Sequence, residues 1–266
     1  GAYSELAGKK IYPESTSIAC KTFEEMFERV REGSANIALV PIENSKAGRV
    51  ADTHHLIPNS KLKIIGEYFL EVNHCLLAPP DASINTIKRV HSHEQAITQC
   101  RKNLIKNNKD MIFAADTAGA AKEISIGGNS LQSVIASELA SKIYKLKILK
   151  RNIQDDAKNT TRFIFLQKKE TKVDSSKGKI LTSAIFRVNN VPASLHKALG
   201  CFAINAVNML KLESYYVGNS FKQAEFYVDF EGHKNDTNVA SALKEMNEYT
   251  DFVKILGVYY ADKFRK

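Results

Sequence analysis

A buried β-strand is predicted for an apolar run that ends in a carboxylate, an amide and a hydroxyl, Ile37-Ala38-Leu39-Val40-Pro41-Ile42-Glu43-Asn44-Ser45. The order is reversed in Asn159-Thr160-Thr161-Arg162-Phe163-Ile164-Phe165-Leu166, where polar residues come directly before an apolar strand. Proteins of the α/β class build ligand sites from polar groups at strand ends. The two stretches therefore predict an α/β fold whose ligand site lies near Glu43 and Thr161.

Helical and strand patterns alternate through the first part of the chain, which favours an α/β fold with a largely parallel sheet. Thr22 and Glu25 form a capping box that begins a helix, and Gly33 suits its end. Further helices are predicted at His93–Ile105, Ala118–Ile124 and Leu131–Tyr144. Further strands are predicted at Lys63–Phe69, Asn73–Ala78, Ile87–His91, Met111–Ala115, Lys147–Lys150 and Arg162–Gln167. The first residues resemble a turn, so we expect a short strand before Gly1.

A charged stretch with little apolar content, residues 169–179, predicts a linker between a domain at 1–168 and a second domain at 180–266. The second domain shows the order β-α-β-β-α-β, which is the ferredoxin-like motif. Its predicted elements are Ile180–Val188, Ala193–Phe202, Val207–Val217, Gln223–Phe230, Thr237–Tyr249 and Phe252–Tyr259, with a turn at Gly218-Asn219-Ser220.

The composition indicates a globular protein that acts on small molecules. The net charge is +9, but the basic residues are dispersed and no basic helix carries interleaved aromatic residues, so we expect no nucleic-acid partner. A positive field would still attract a small anion. No apolar segment approaches the ~18 residues of a membrane helix, so we expect no membrane partner. The four cysteines form no CxxC pair, which is typical of reduced thiols in a cytoplasmic protein.

Several common kinds of site are absent from the sequence. The pairs His54-His55 and His91/His93 have no metal-ligand spacing and no acidic or thiol partners, so we expect no metal. No GxGxxG, GxxxxGK[ST] or GxSxG motif occurs, which weighs against nucleotide, nicotinamide and serine-hydrolase chemistry. We therefore expect no cofactor.

Polar residues at two further junctions have both a structural and a functional interpretation. Ser92 forms a capping box with Gln95, so it is either a helix cap or part of an anion site at the helix start. Thr117 lies at a second junction of a strand with a helix, where capping and ligand binding are equally compatible with the sequence. Arg162 has the side chain best shaped to bind a carboxylate with two hydrogen bonds.

Five motifs, in order, resemble those of the prephenate dehydratase family. They are Gly1-Ala2-Tyr3-Ser4; Val40-Pro41-Ile42-Glu43-Asn44-Ser45 with Gly48 and Val50; Ser92-His93 with Ala96, Gln99 and Cys100; Asp116-Thr117-Ala118 with Ala120-Ala121; and Asp155 with Asn159-Thr160-Thr161-Arg162-Phe163. The resemblance implies a bilobed catalytic domain similar to periplasmic binding proteins. It also implies the conversion of prephenate to phenylpyruvate, water and carbon dioxide.

The resemblance, with the chemistry of the side chains, also suggests roles for individual residues. Thr161 is the expected catalytic residue; its hydroxyl is a weak acid and would donate a hydrogen bond to the leaving hydroxyl. Glu43 is expected to orient other groups, since a bare carboxylate would repel a dianion. The residues expected to bind substrate are Arg162, Asn44, Ser92, Gln99, Thr160, Glu43, Ser45, Thr117 and Ser4.

The C-terminal domain resembles an ACT domain, the regulatory module of that family. The resemblance implies that phenylalanine binds at Asn190, Val191, Pro192, Ala193, Ser194, Leu195, Glu213 and Ser214, and that the protein is a homodimer or homotetramer. Ala193 replaces the usual glycine and Tyr215-Tyr216 replaces Arg-Pro. These changes concern the binding of phenylalanine rather than catalysis.

Two alternatives to a prephenate dehydratase remain at this point. An arogenate dehydratase would act on the amino form of the substrate, and no residue distinguishes the two. A non-catalytic amino-acid sensor would also combine an α/β domain with an ACT domain, but it would have no need for the pair Thr161 and Arg162.

Overall fold

A computed structural model describes residues 1–216 and 224–265, so the turn predicted at Gly218-Asn219-Ser220 lies outside the described residues. The α-helices are α1 (Tyr3–Ile11), α2 (Phe23–Glu32), α3 (Ala51–Leu56), α4 (Glu94–Gln99), α5 (Arg101–Lys106), α6 (Thr117–Gly127), α7 (Glu138–Tyr144), α8 (Ser194–Ile204) and α9 (Thr237–Met246). The strands are β1 (Ala38–Asn44), β2 (Gly48–Arg49), β3 (Lys63–Glu71), β4 (Cys75–Ala78), β5 (Arg89–Ser92), β6 (Asp110–Phe113), β7 (Gln132–Ala136), β8 (Lys147–Lys150), β9 (Thr160–Gln167), β10 (Ile180–Val188), β11 (Met209–Tyr216), β12 (Ala224–Glu231) and β13 (Thr250–Tyr260). Short 3₁₀ turns lie at Ile57–Asn59, Ser175–Lys177 and Lys263–Arg265.

The fold is mixed α/β, and its contacts divide it into two compact units. Unit 1 contains Gly1–Ser17, Glu43–Arg49 and Phe69–Phe163, and unit 2 contains Ile18–Ile42, Val50–Tyr68 and Ile164–Lys266. The unit boundaries fall within β1, β3 and β9.

Unit 1 is built on a five-stranded sheet with the order β6-β5-β7-β4-β8. Strand β5 is parallel to β6 and β7, whereas β4 is antiparallel to β7 and β8, so the predicted parallel sheet is only partly present. All four residues of β4 are buried. Leu76 and Ala78 belong to one apolar cluster and Cys75 and Leu77 to another, because successive side chains point to opposite, covered faces.

The C-terminal part of unit 2 has the β-α-β-β-α-β order predicted from the sequence, β10-α8-β11-β12-α9-β13. Its strands lie in the order β11-β12-β10-β13, and β13 then pairs in parallel with β3 at Gly257 and Ile64. A β-carbon at Gly257 would stand 2.0 Å from the carbonyl oxygen of Ile64, so this pairing requires glycine. The C-terminal segment thus shares a sheet with β3, whose residues up to Tyr68 belong to the same unit.

The apolar core of unit 2 joins the C-terminal segment to residues from the first part of the chain. Val40 and Ile64 belong to the same buried cluster as Leu181, Tyr227 and Leu256. Residues 180–266 therefore share a compact unit with residues 18–42 and 50–68, a division that differs from the sequential domains expected from the sequence. The cause is the sheet face of β10, β12 and β13, whose apolar side chains pack in this common core.

Three predicted elements differ in the structure. Leu131–Tyr144 is not one helix: β7 takes the apolar run, and Ser137 then caps α7 by accepting a hydrogen bond from the Ala140 N–H. A short apolar run is compatible with either element. The predicted helix at residues 93–105 is interrupted at Cys100, and the turn-like start of the chain contains α1. The capping of α2 by Thr22 is confirmed, at 3.1 Å to the Glu25 N–H.

Candidate active site

The Thr161 hydroxyl lies at the beginning of β9, beside the end of β1. Its Oγ1 atom accepts a hydrogen bond of 2.8 Å from Nδ2 of Asn44, and only 9% of Thr161 is exposed. The same Nδ2 atom donates to Oδ1 of Asn159 at 2.8 Å. Among the described residues no group accepts the Thr161 proton, so the hydroxyl remains a free donor.

The orientation of the Asn44 amide is fixed by the turn that follows β1. Its Oδ1 atom accepts hydrogen bonds of 2.9 Å from the backbone N–H groups of Lys46 and Ala47. Because only the amide oxygen can accept, the NH₂ group must face Thr161 and Asn159.

The polar network continues from Asn159 to Gln99. Asn159 is 2% exposed, and its Nδ2 atom donates to Oε1 of Gln99 at 2.8 Å. This contact joins the end of α4 to the residue before β9. The sequence predicted Gln99 as a site residue. Asn159, which connects Gln99 to Asn44, begins the quoted motif but is not among the residues predicted to bind substrate.

Ser45 and Thr160 connect the ends of the two strands through the backbone. The Ser45 N–H donates to the Thr160 carbonyl at 2.8 Å, and the Thr160 N–H donates to Oγ of Ser45 at 3.0 Å. In this structure Ser45 thus positions the backbone of the residue before Thr161.

Arg162 lies next to Thr161 in the chain, but its guanidinium is wholly buried. The side chain is 0% exposed and pairs with Oε1 of Glu43 at 3.2 Å. This arrangement differs from the direct substrate contact predicted for Arg162. The alternation of side chains along β1 and β9 explains it: Asn44 meets Thr161, while Glu43 meets Arg162.

Ser92, Thr117 and Ser4 are not joined to Thr161 by any hydrogen bond of the described residues. Ser92 is fully buried and donates to the Ile135 carbonyl at 2.7 Å. Of the two interpretations of Ser92, the helix cap is wrong, because Nδ1 of His93 accepts from the Gln95 N–H. Thr117 begins α6, which Asp116 caps, and Ser4 lies in α1.

Two residues outside the predicted site, His74 and Tyr3, extend the network behind Gln99, and Tyr3 belongs to the first family motif. Nε2 of His74 lies 2.8 Å from Oε1 of Gln99, and Nδ1 of His74 lies 2.6 Å from the Tyr3 hydroxyl. Burial lowers the pKa of His74 and raises the pKa of Tyr3, so both groups are neutral near pH 7. His74 stands alone in an apolar stretch, and no periodicity marks it.

A cavity of about 420 Å³ opens beside this network within unit 1. Gln99 and Asn159 line it, together with polar and charged side chains that include Lys46, Glu94, Gln95 and Thr98. Lys46 also forms an ion pair with Asp156. The cavity therefore offers amide, hydroxyl and charged groups to a small polar ligand.

The residues predicted to bind phenylalanine lie in two separate places. Asn190, Val191, Pro192 and Ala193 precede α8, with Ser194 and Leu195 in its first turn. Glu213 and Ser214 lie on β11, which β12 separates from β10. Ala193 has a φ of 65°, in the left-handed region where glycine is favoured.

The fold and this site define a mixed α/β protein in which the Asn44 amide orients the Thr161 hydroxyl beside a polar cavity. The family profile described as prephenate dehydratase matches residues 1–171. A bifunctional N-acyl-homoserine lactone acylase/prephenate dehydratase of Komagataeibacter europaeus is 40% identical over 100% of this chain and 95% of that protein. Arogenate dehydratase/prephenate dehydratase 2 of Arabidopsis thaliana is 37% identical over 98% of this chain and 71% of that protein.

Solved structures show the same architecture. GqqA, described as a quorum-quenching acylase, superposes with a TM-score of 0.92 at 39% identity, covering 100% of this chain and 97% of that one. Prephenate dehydratase of Arthrobacter aurescens in complex with L-Phe superposes with a TM-score of 0.88 at 28% identity, covering 98% and 87%. The chain belongs to the prephenate dehydratase family.

No helix among residues 1–216 and 224–265 has the length and apolar character needed to cross a bilayer.

Proposed function

We propose that this chain is a prephenate dehydratase that converts prephenate to phenylpyruvate, water and carbon dioxide. The observation that carries the proposal is the Thr161 hydroxyl, whose oxygen is occupied by Asn44 and whose proton no described residue accepts. Such a hydroxyl is oriented to donate to a ligand. Membership in the prephenate dehydratase family supports the same reaction.

The reaction breaks two bonds of prephenate and consumes one proton. Loss of the ring carboxylate leaves its bonding electrons in the ring, and the ring then expels the hydroxyl at the opposite carbon as it becomes aromatic. The departing oxygen takes a proton and leaves as water. Thr161 would donate its hydrogen bond to this oxygen, which stabilises the charge that develops on it in the transition state.

The substrate carboxylates would be bound by the donors around the cavity. Of the residues that line the cavity, Gln99 offers its amide hydrogens and Lys46 a positive charge. Thr160, Ser92, Ser45, Thr117 and Ser4 are not among the lining residues and stay predictions from the family resemblance. Arg162 would order Glu43 and the strand end, because its guanidinium is buried in that ion pair. Asn44 would act through Thr161.

The C-terminal segment 180–266 would be an ACT domain that responds to phenylalanine, joined by residues 169–179 to a two-lobed catalytic domain at 1–168. The segment before α8 and the residues Glu213 and Ser214 lie two strands apart in one chain. An effector that touches both would sit between two copies, which favours a homodimer or homotetramer. A coupling of about 1–3 kcal/mol between effector and substrate is ordinary for such a device.

The first test is phenylpyruvate formation from prephenate by the purified protein, with Thr161→Val and Thr161→Ser as a matched pair. Valine keeps the shape and removes the hydroxyl, so we expect kcat to fall by roughly 100-fold or more with little change in substrate affinity. Serine keeps the donor and should retain most of the turnover. Equal losses of kcat and affinity in Thr161→Val would contradict the assigned role.

Phenylalanine added to the same assay tests the regulatory proposal separately. Suppressed turnover supports an ACT domain that binds phenylalanine. Turnover indifferent to phenylalanine would keep the enzyme and show that Ala193 and Tyr215-Tyr216 have altered the effector site.

Two other activities follow from particular relatives. The relatives named arogenate dehydratase favour arogenate as an alternative substrate, and the two acylase relatives favour hydrolysis of an N-acyl-homoserine lactone. The purified protein should therefore be given all three substrates at equal concentration, with Thr161→Val beside it. A dehydratase requires Thr161 for prephenate or arogenate, whereas an amino-acid sensor would turn over none of them.

A further inference from the structure

The backbone of His74 is fixed by two hydrogen bonds, one at its N–H group and one at its carbonyl. Its N–H donates to Oε1 of Gln154 at 3.0 Å, and its carbonyl accepts from the Ile153 N–H at 3.0 Å. The residue is 3% exposed, and its ring meets the Tyr3 ring edge to face with centroids 5.5 Å apart. The imidazole therefore has a fixed position next to Gln99.

The hydrogen bonds of the ring determine its tautomer. Nε2 lies 2.8 Å from the amide oxygen of Gln99, which can only accept, so Nε2 carries the proton. Nδ1 of the neutral ring is then an acceptor. The Tyr3 hydroxyl, 2.6 Å away, must be its donor.

The hydrogen bonds at the Asn44 end of the network require the same assignment of donors and acceptors. The backbone N–H groups of Lys46 and Ala47 bind Oδ1 of Asn44, so its NH₂ group donates to Asn159. Asn159 in turn donates to Gln99. The amide oxygen of Gln99 thus accepts two hydrogen bonds, one from Asn159 and one from His74.

In this arrangement the NH₂ group of Gln99 is available to donate to a ligand. Its hydrogens have no acceptor in residues 1–216 or 224–265, and Gln99 lines the cavity. A rotated amide would set its NH₂ group against the donors of Asn159 and His74. The group that receives these hydrogens must be an acceptor, such as a carboxylate or carbonyl oxygen of the substrate.

We propose that Tyr3 and His74 are positioning residues, which hold the Gln99 amide so that its NH₂ group is offered to acceptor atoms of the substrate. The proposal builds on the proposed dehydratase function. It adds two residues that act through Gln99 and do not touch the substrate. Burial, which lowers the pKa of His74, keeps the ring in the neutral form that the network needs.

The kinetic test is a double-mutant cycle with Gln99→Ala. We expect His74→Leu and Tyr3→Phe to lower kcat/KM by roughly three- to tenfold, which corresponds to one hydrogen bond. Each should change kcat/KM by less than about twofold in the Gln99→Ala background, because their action passes through Gln99. His74→Gln, which can still donate to Gln99, should recover most of the loss. Losses that simply add in the double variants would overturn the proposal.

A second readout does not depend on turnover. In the protein labelled with ¹⁵N-histidine, the ring of His74 should be neutral with its proton on Nε2, and Tyr3→Phe, which removes the donor to Nδ1, should shift the Nδ1 resonance. A proton on Nδ1 in the parent protein, or an unchanged spectrum in Tyr3→Phe, would contradict the positioning role even if the protein is an active dehydratase. If the expected spectra are found in a protein without turnover, the dehydratase function fails while the described network stands.

Discussion

The Asn44 side chain donates a hydrogen bond of 2.8 Å to Oγ1 of Thr161 across 117 positions of the chain. Because Asn44 occupies the Thr161 oxygen, the hydroxyl proton points away from it. The turn at Lys46 and Ala47 fixes this polarity by binding the other end of the Asn44 amide. A donor side chain is thus aimed by backbone groups that lie far from it in sequence.

Replacement of Asn44 by aspartate should abolish this polarity with almost no change of shape. In Asn44→Asp the carboxylate would accept the Thr161 proton and would oppose Oδ1 of Asn159. We expect kcat to fall by about 100-fold or more, the cost of losing one transition-state donor. Steady-state dehydratase kinetics measure kcat, and thermal unfolding checks that the variant is folded. An Asn44→Asp protein that is folded and retains more than a tenth of the parent kcat would contradict the assigned orientation.

The ion pair of Glu43 with Arg162 should matter chiefly to stability. Arg162 is buried, so Glu43→Gln removes a charge that pairs with it and should lower the free energy of unfolding by roughly 2–3 kcal/mol. Glu28→Gln is the matched control, because Glu28 pairs with Arg31 at the surface and should cost less than about 1 kcal/mol. Urea denaturation measures both. Equal costs would mean that the buried pair gives no special stabilisation.

Much of the site could be predicted from the sequence because it depends on two strand ends. Apolar runs with polar ends place Glu43, Asn44, Thr160, Thr161 and Arg162 at the junction of β1 and β9. The sequence could not assign partners across the junction, since these depend on register and on which face each side chain takes. Arg162 therefore meets Glu43 in the structure, although its chemistry alone suggests a ligand.

The residues missed by the site prediction carry no local signal of their role, although Tyr3 belongs to the first family motif. His74 and Tyr3 are brought to Gln99 by the packing of three separate segments of unit 1. The same limit explains β7, whose apolar run is read as a helix until its pairing with β4 and β5 is known. Local patterns give the elements, whereas the polar contacts come from tertiary structure.

Ala193 before α8 carries a backbone conformation that glycine adopts more easily. Its φ is 65°, and the left-handed region costs an alanine about 1–2 kcal/mol. Ala193→Gly should raise the free energy of unfolding by about 0.5–1 kcal/mol, since the greater flexibility of unfolded glycine offsets part of the gain. Ala240→Gly, at an exposed position in α9, should instead lower it by about 1 kcal/mol. The strain would be refuted if both variants were equally destabilised in urea.

Finally, the buried His74 should make the stability of this protein depend on pH. Burial lowers the pKa of His74 below the ordinary value, which is about 6.5 in an unfolded chain. Between these two values the unfolded chain binds more protons than the folded one, so the free energy of unfolding falls as the pH decreases. The contribution is fully present above about pH 6.5 and is lost as the pH falls through the folded pKa.

The parent Tm should therefore fall more steeply than that of His74→Gln between about pH 7.5 and pH 5. His196→Gln, at an exposed position in α8, controls for the loss of a histidine as such. Parallel Tm curves for the parent and His74→Gln would show that His74 does not titrate differently on folding.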